Sequence, residues 1–136
     1  MKLGGFLIGL LLLSHGAPAT AADQSICVPT SEITFHSNGT LKSCDLKNVY
    51  EVNGLRCNAY NRVSFFGDGR VSACVLSEDF TIGNITCGNL GIIEFYSSGR
   101  LSSCTLTKNV DIDGKNCIKG QPVLLFENGR LKSCTK

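Results

Sequence analysis

The chain has 136 residues, a net charge of +2, eight cysteines, one methionine and no tryptophan. So balanced a charge excludes nucleic acid or a membrane surface as a bulk electrostatic partner. An even set of cysteines in a chain of this size points to disulfides, and therefore to an oxidising compartment.

The first 21 residues read as a cleaved export signal. Lys2 is followed by an apolar run from Leu3 to Leu13 and then by the small-residue pattern Ala19-Thr20-Ala21, after which signal peptidases cut. The run falls short of the ~20 residues that cross a bilayer, so no span is expected in the mature chain. Residues 22–136 are left as a single β-repeat domain, secreted or periplasmic, that carries all eight cysteines.

That domain keeps time. Cysteines stand at 27, 57, 87 and 117 and again at 44, 74, 104 and 134, so each series advances by thirty residues without an insertion. The units are 27–56, 57–86, 87–116 and a truncated 117–136. Turn signals recur about twice per unit, at Gly39, Gly54, Gly69, Gly83-Asn84, Gly99, Gly114 and Gly129. Between them the sequence alternates and is rich in Val, Ile, Phe and Thr, which predicts strands rather than helices. The expected fold is all-β: tandem two-hairpin repeats in a disulfide-stapled, solenoid-like or meander sheet, each unit burying its apolar side on its neighbours.

In the first hairpin of each unit, a three-residue loop such as Ser37-Asn38-Gly39, with Gly left-handed, pairs 36 with 40, 35 with 41 and 33 with 43. That register places Ile33, Phe35, Leu41 and Ser43 on one inward face, and likewise Val63, Phe65, Val71, Ala73; Ile93, Phe95, Leu101, Ser103; and Val123, Leu125, Leu131, Ser133. The small fourth member would admit a neighbouring layer. The second hairpin turns on "VNGL" at 52–55, "IGNI" at 82–85 and "IDGK" at 112–115. Its two-residue turn puts Tyr50, Val52, Leu55 and Cys57 on one face, with Glu51 opposite Arg56 and Asp111 opposite Asn116. Leu46, Leu76 and Leu106 recur in the connectors as inward anchors. Lys132 and Lys136, near the last strand, are charges that discourage edge-to-edge growth.

Disulfides are the expected chemistry of the cysteines. There is no C-x-x-C and, past residue 21, only one histidine, His36, so a metal site or a redox centre has little support. Equivalent cysteines of successive units lie about two strand spacings apart, roughly 9.6 Å, beyond a disulfide's reach. Two schemes remain. Pairing Cys27 with Cys44, Cys57 with Cys74, Cys87 with Cys104 and Cys117 with Cys134 uses all eight and is preferred; pairing 44 with 57 and its equivalents strands Cys27 and Cys134.

Residues 36 and 40 and their equivalents close the first hairpin away from the core. They form the pairs His36 with Thr40, Phe66 with Arg70, Tyr96 with Arg100 and Phe126 with Arg130. Cross-strand pairs of this kind stabilise any hairpin. Stacked in register, the three aromatic–arginine pairs would also form a candidate binding stripe for a sugar ring, an anionic glycan or a partner's loop. No catalytic residues, metal ligands or cofactor are predicted: His36 belongs to the hairpin-closing column, and the carboxylates are scattered. Asn38-Gly39-Thr40 and Asn84-Ile85-Thr86 match the N-glycosylation pattern.

The phrases "FENGRLKSC", "FHSNGTLKSC", "FFGDGRVSAC" and "FYSSGRLSSC" resemble the bacterial variant of the MORN repeat, whose hairpins carry an aromatic, a short polar loop with Gly, and a following Leu. The resemblance covers the first hairpin of each unit; the thirty-residue period and the cysteines depart from the family. It implies a repetitive β-scaffold for binding or assembly rather than catalysis. Two functional expectations follow. One is an exported non-enzymatic module that binds a protein or a cell-surface glycan through its hairpin faces. The other is a secreted, disulfide-stabilised effector or inhibitor acting on a protein partner.

Overall fold

A computed structural model describes residues 21–136; the expected export signal, Ala21 apart, lies outside the described residues. After a short 3-10 turn at Gln24–Ile26 the described residues run as fourteen strands. These are β1 (Thr34–Phe35), β2 (Leu41–Asp45), β3 (Tyr50–Val52), β4 (Leu55–Cys57), β5 (Arg62–Phe65), β6 (Val71–Val75) and β7 (Phe80–Ile82). They continue as β8 (Ile85–Cys87), β9 (Ile92–Phe95), β10 (Leu101–Thr105), β11 (Val110–Ile112), β12 (Lys115–Cys117), β13 (Pro122–Leu125) and β14 (Leu131–Cys134).

The two kinds of hairpin take different places. First hairpins join edge to edge into one eight-stranded antiparallel sheet, in the order β1-β2-β5-β6-β9-β10-β13-β14. Second hairpins, β3-β4, β7-β8 and β11-β12, stay as separate two-stranded ribbons. Each ribbon is the link between one sheet hairpin and the next, and its apolar side packs on the sheet's inner face. Tyr50 of β3 meets Phe65 of β5 edge-on, with ring centroids 5.6 Å apart. The molecule is therefore a meander with a layer of ribbons on one side.

Loop chemistry sets this layout. At each first hairpin the residue before the loop and the one after it bond as predicted: His36 N–H to Thr40 O, Phe66 to Arg70, Tyr96 to Arg100 and Phe126 to Arg130, each at 2.8 Å. The loops need a left-handed residue in third place, and Gly39, Gly69, Gly99 and Gly129 supply φ of 87° to 90°. The ribbon turns place Glu51 opposite Arg56 and Asp111 opposite Asn116, as read from the sequence.

One part of the predicted register is wrong, for a physical reason. Phe35 faces Leu41, but Ser43 faces Thr34 rather than Ile33, and the same shift recurs in all four units. Lys42, Ser72, Ser102 and Lys132 are extra residues, bulges that turn the following strand over by one position. Ser43, Ala73 and Ser103 are consequently only half-buried, Ser133 is exposed, and all four belong to the outer face. Their places inside are taken by Cys44, Cys74 and Cys104, all buried, and by half-buried Cys134. Across the sheet, Cys44 faces Val63, Cys74 faces Ile93 and Cys104 faces Val123, giving an inner row in which sulfur alternates with β-branched side chains.

The disulfides run between layers. Cys57 of β4 joins Cys74 of β6, Cys87 of β8 joins Cys104 of β10, Cys117 of β12 joins Cys134 of β14, and Cys27 joins Cys44 of β2. Their Cα–Cα distances of 5.6 to 5.7 Å sit at the centre of the usual range. Around them lie Leu46, Leu76 and Leu106, each about fully buried, and no buried polar side chain occurs among the described residues. Phe35 departs from its equivalents: it is 49% exposed where Phe65 is 3%. Tyr50 covers Phe65, and among the described residues no ribbon precedes the first unit to do the same for Phe35.

The connectors hold a feature absent from the sequence reading. Tyr60 and Leu90 have φ of 60° and 62°, and both are largely exposed. Their N–H groups bond the carbonyls of Leu46 and Leu76 at 2.6 and 2.7 Å, while Gly120 does the same to Leu106. The turn requires the left-handed conformation, and a bulky residue occupies it at a cost of roughly 1–2 kcal/mol.

A disulfide closing a loop of this length is worth about 3 kcal/mol in the chain-entropy model. The double variant Cys57→Ala/Cys74→Ala should lose about that much in urea unfolding, with a steeper slope, because the unfolded chain freed of one crosslink exposes more surface. A non-reducing peptide map should recover the four inter-layer links and none between residues 44 and 57.

Candidate binding site

The column read as a stripe sits where the sheet hairpins turn, and its side chains point along the stack to the next unit. His36 donates its Nε2–H to Phe65 O at 2.8 Å, since a carbonyl only accepts. Tyr96 donates its hydroxyl to Leu125 O at 2.7 Å. Each reaches a carbonyl 29 residues on. That carbonyl is available because the bulge ends the sheet ladder one residue earlier, at Ser43 with Ser64 and at Ser103 with Leu124. Loop side chains extend the pattern: Asn38 donates to Gly67 O at 3.0 Å, Arg70 to Ser97 O, and Arg100 to Glu127 O at 3.3 Å.

Three equivalent aromatic–arginine pairs are therefore not what the column presents. Arg70 lies over the Phe66 ring at 5.8 Å. Arg100 is drawn off to the neighbouring loop, and the cation over Phe126 is Lys132, at 5.9 Å, not Arg130. Arg130 instead approaches Asp113 of the last ribbon turn at 3.9 Å. Of the six stripe residues, Arg70, Tyr96 and Arg100 are engaged in stitching units together. Phe126 remains open, 48% exposed, at the end of the row.

Phe66 and Arg70 have a different setting. They stand on the wall of a cleft of about 350 Å³ between ribbons β3-β4 and β7-β8, above the turn of β5-β6. Tyr50, Val52 and Leu55 form one side, Phe80 and Ile82 the other, and Phe95 lies on the sheet below. The volume falls at the lower end of the small-molecule range, and its lining is mainly apolar. Burial raises the Tyr50 phenol above its ordinary value. At the rim Arg70 donates its Nε–H to Asp68 at 2.7 Å. The Arg70 backbone N–H and then its guanidinium hold the Asp68 carboxyl below the usual range.

Other chemistry is thin. Among the described residues no group of three or more His, Cys, Asp or Glu could hold a metal ion, and no cysteine is free. Asn38 and Asn84, the two sequon asparagines, are both exposed at hairpin turns. No helix among the described residues is long and apolar enough to cross a membrane. No family model, curated protein or solved structure matches the chain.

Two outcomes are expected. Tyr96→Phe, which removes one hydroxyl and leaves Leu125 O without that donor, should cost about 1 kcal/mol in denaturant unfolding. Asp68 has a depressed folded pKa, so its contribution is present above the unfolded carboxylate range and is lost as pH falls through the folded value. Asp68→Asn should flatten that acid-side segment of a stability-versus-pH profile, and high salt should shrink the difference.

Proposed function

We propose that this chain is an exported, non-enzymatic binding module that takes a protein or a cell-surface glycan on the turn end of its sheet hairpins. The observation that carries this reading is the placement of Phe66 and Arg70. They stand on the wall of an apolar cleft, with the Asp68–Arg70 pair offering a donor and an acceptor side by side at its mouth. Rings beside a guanidinium–carboxylate pair suit a sugar or a partner's loop, and Phe126 with Lys132 gives a second contact in the same row. A scaffold of four inter-layer disulfides fits an oxidising, extracellular setting and holds such a surface rigid. The same staples support the alternative of a disulfide-stabilised effector or inhibitor acting on a protein partner.

The test compares retention of glycans on an array, and of purified surface proteins, by the mature wild type, by Phe66→Ser/Phe126→Ser, and by Tyr60→Ser at the opposite end of the sheet. Loss of about tenfold or more in affinity is expected for the first variant only, consistent with removal of two aromatic contacts. Retention by both variants would sink the turn-end surface.

A further inference from the structure

The hairpin-closing column reads His36, Phe66, Tyr96 and Phe126, and at two unit junctions it does the same work. His36 and Tyr96 each send a donor to the carbonyl 29 residues on. The second junction breaks the rule. Phe66 is the equivalent residue, Phe95 O is the equivalent carbonyl, and a phenyl ring has no donor. The β6-β9 ladder stops at Ala73 with Glu94, one residue short of Phe95, as it does at the other junctions. Among the described residues no side chain donates to Phe95 O. The 350 Å³ cleft opens at this same junction, with Phe66 and Phe95 both in its lining.

We propose that the cleft is a site for a small, neutral, mainly apolar molecule carrying one hydroxyl, a phenol or comparable alcohol, whose O–H donates to Phe95 O as the Tyr96 hydroxyl does to Leu125 O. The apolar body lies between Val52 and Leu55 on one side and Phe80 and Ile82 on the other. Neutrality follows from the rim: the charge of Arg70 is matched by Asp68 at 2.7 Å, so no unbalanced cation is left to call for an anion. A volume near 350 Å³ admits one or two fused rings, not an extended chain. The inference goes beyond the binding reading above: it gives the cleft itself a small apolar ligand, separate from a macromolecule held at the turn end.

The experiment titrates mature protein with 1-naphthol, followed by its fluorescence and by calorimetry. Saturable one-to-one binding is expected. 1-Methoxynaphthalene, of similar shape but without the donor, should bind about tenfold more weakly, the scale of one neutral hydrogen bond. Phe66→Tyr supplies the missing hydroxyl from within, so it should weaken 1-naphthol about tenfold or more while unfolding at equal or higher denaturant. Tighter binding of N-acetyl-tyrosinamide than of 1-naphthol assigns the hydroxyl to a partner's tyrosine, and the reverse order assigns it to a free small molecule. Absence of saturable binding overturns the site, equal affinity for the two naphthalenes overturns the hydrogen bond, and unchanged affinity in Phe66→Tyr overturns the location. These readouts are independent of glycan or protein capture, so the ligand class and the macromolecular partner can fail separately.

Discussion

The structure depends on one constraint: every ribbon must be held against the inner face of a sheet to which it makes few hydrogen bonds. A three-residue strand pair is too short to be stable alone in water. Here each ribbon ends on a cysteine whose partner lies 17 residues further on, inside the sheet. The link turns two weak elements into one closed unit and fixes their separation, after which Leu46, Leu76 and Leu106 fill the space beside the sulfurs. A small domain has too little apolar surface to rely on burial alone, and the staples limit the entropy of the unfolded chain instead.

The bulge is what makes the staple possible. Without an extra residue at 42, 72, 102 and 132, the strand would alternate Leu41, Ser43, Asp45 inward and would present Cys44 to solvent. With it, Leu41 and Cys44 both face the ribbons, and the serines join the outer face. The same bulge ends the sheet ladder early and frees the carbonyls of Phe65 and Leu125, which His36 and Tyr96 then take. One local irregularity thus aims the sulfurs and also prepares acceptors for the stitching between units.

Much of this is legible in the sequence. The thirty-residue period, the strand content, both turn types and the glycine φ follow from spacing and turn chemistry, because those are local. The inward step from 43 to 44 was missed because strict alternation is a rule for unbroken strands. The signal that could have revealed it is the spacing Leu41–Cys44, repeated as Val71–Cys74, Leu101–Cys104 and Leu131–Cys134: a step of three from one apolar position to the next, where a regular strand allows only steps of two or four. The left-handed Tyr60 and Leu90 were invisible for a different reason, since their bulk argues against the conformation that the connector's geometry imposes. For the site, Phe66 and Arg70 were legible as exposed hairpin residues. The cleft beside them was not, because it forms between ribbons of two units whose spacing is set by tertiary packing.

The column shows how a repeat can build a site without breaking its architecture. Identical units would have identical junctions, each with a ring that reaches forward to the next carbonyl. The four residues actually present all carry a planar ring that takes the same place in the hairpin, but they differ in whether the ring carries a donor atom, which histidine and tyrosine have and phenylalanine lacks. Where that atom is present, as in His36 and Tyr96, the junction is tied. Where it is absent, at Phe66, packing of the hairpin is unaffected and the loss is confined to the gap between two ribbons, where it leaves an apolar space beside an acceptor. The neighbouring loops still tie that junction, through Arg70 to Ser97 O, so the gap opens without the units coming apart. Rigidity from the disulfides matters here: a looser scaffold would collapse into a space of this size, because closing a void recovers dispersion contacts. Each wall of the cleft is tied to the sheet by its own disulfide, Cys57–Cys74 for one ribbon and Cys87–Cys104 for the other, and the absence of a ring donor at Phe66 falls between two walls fixed in this way.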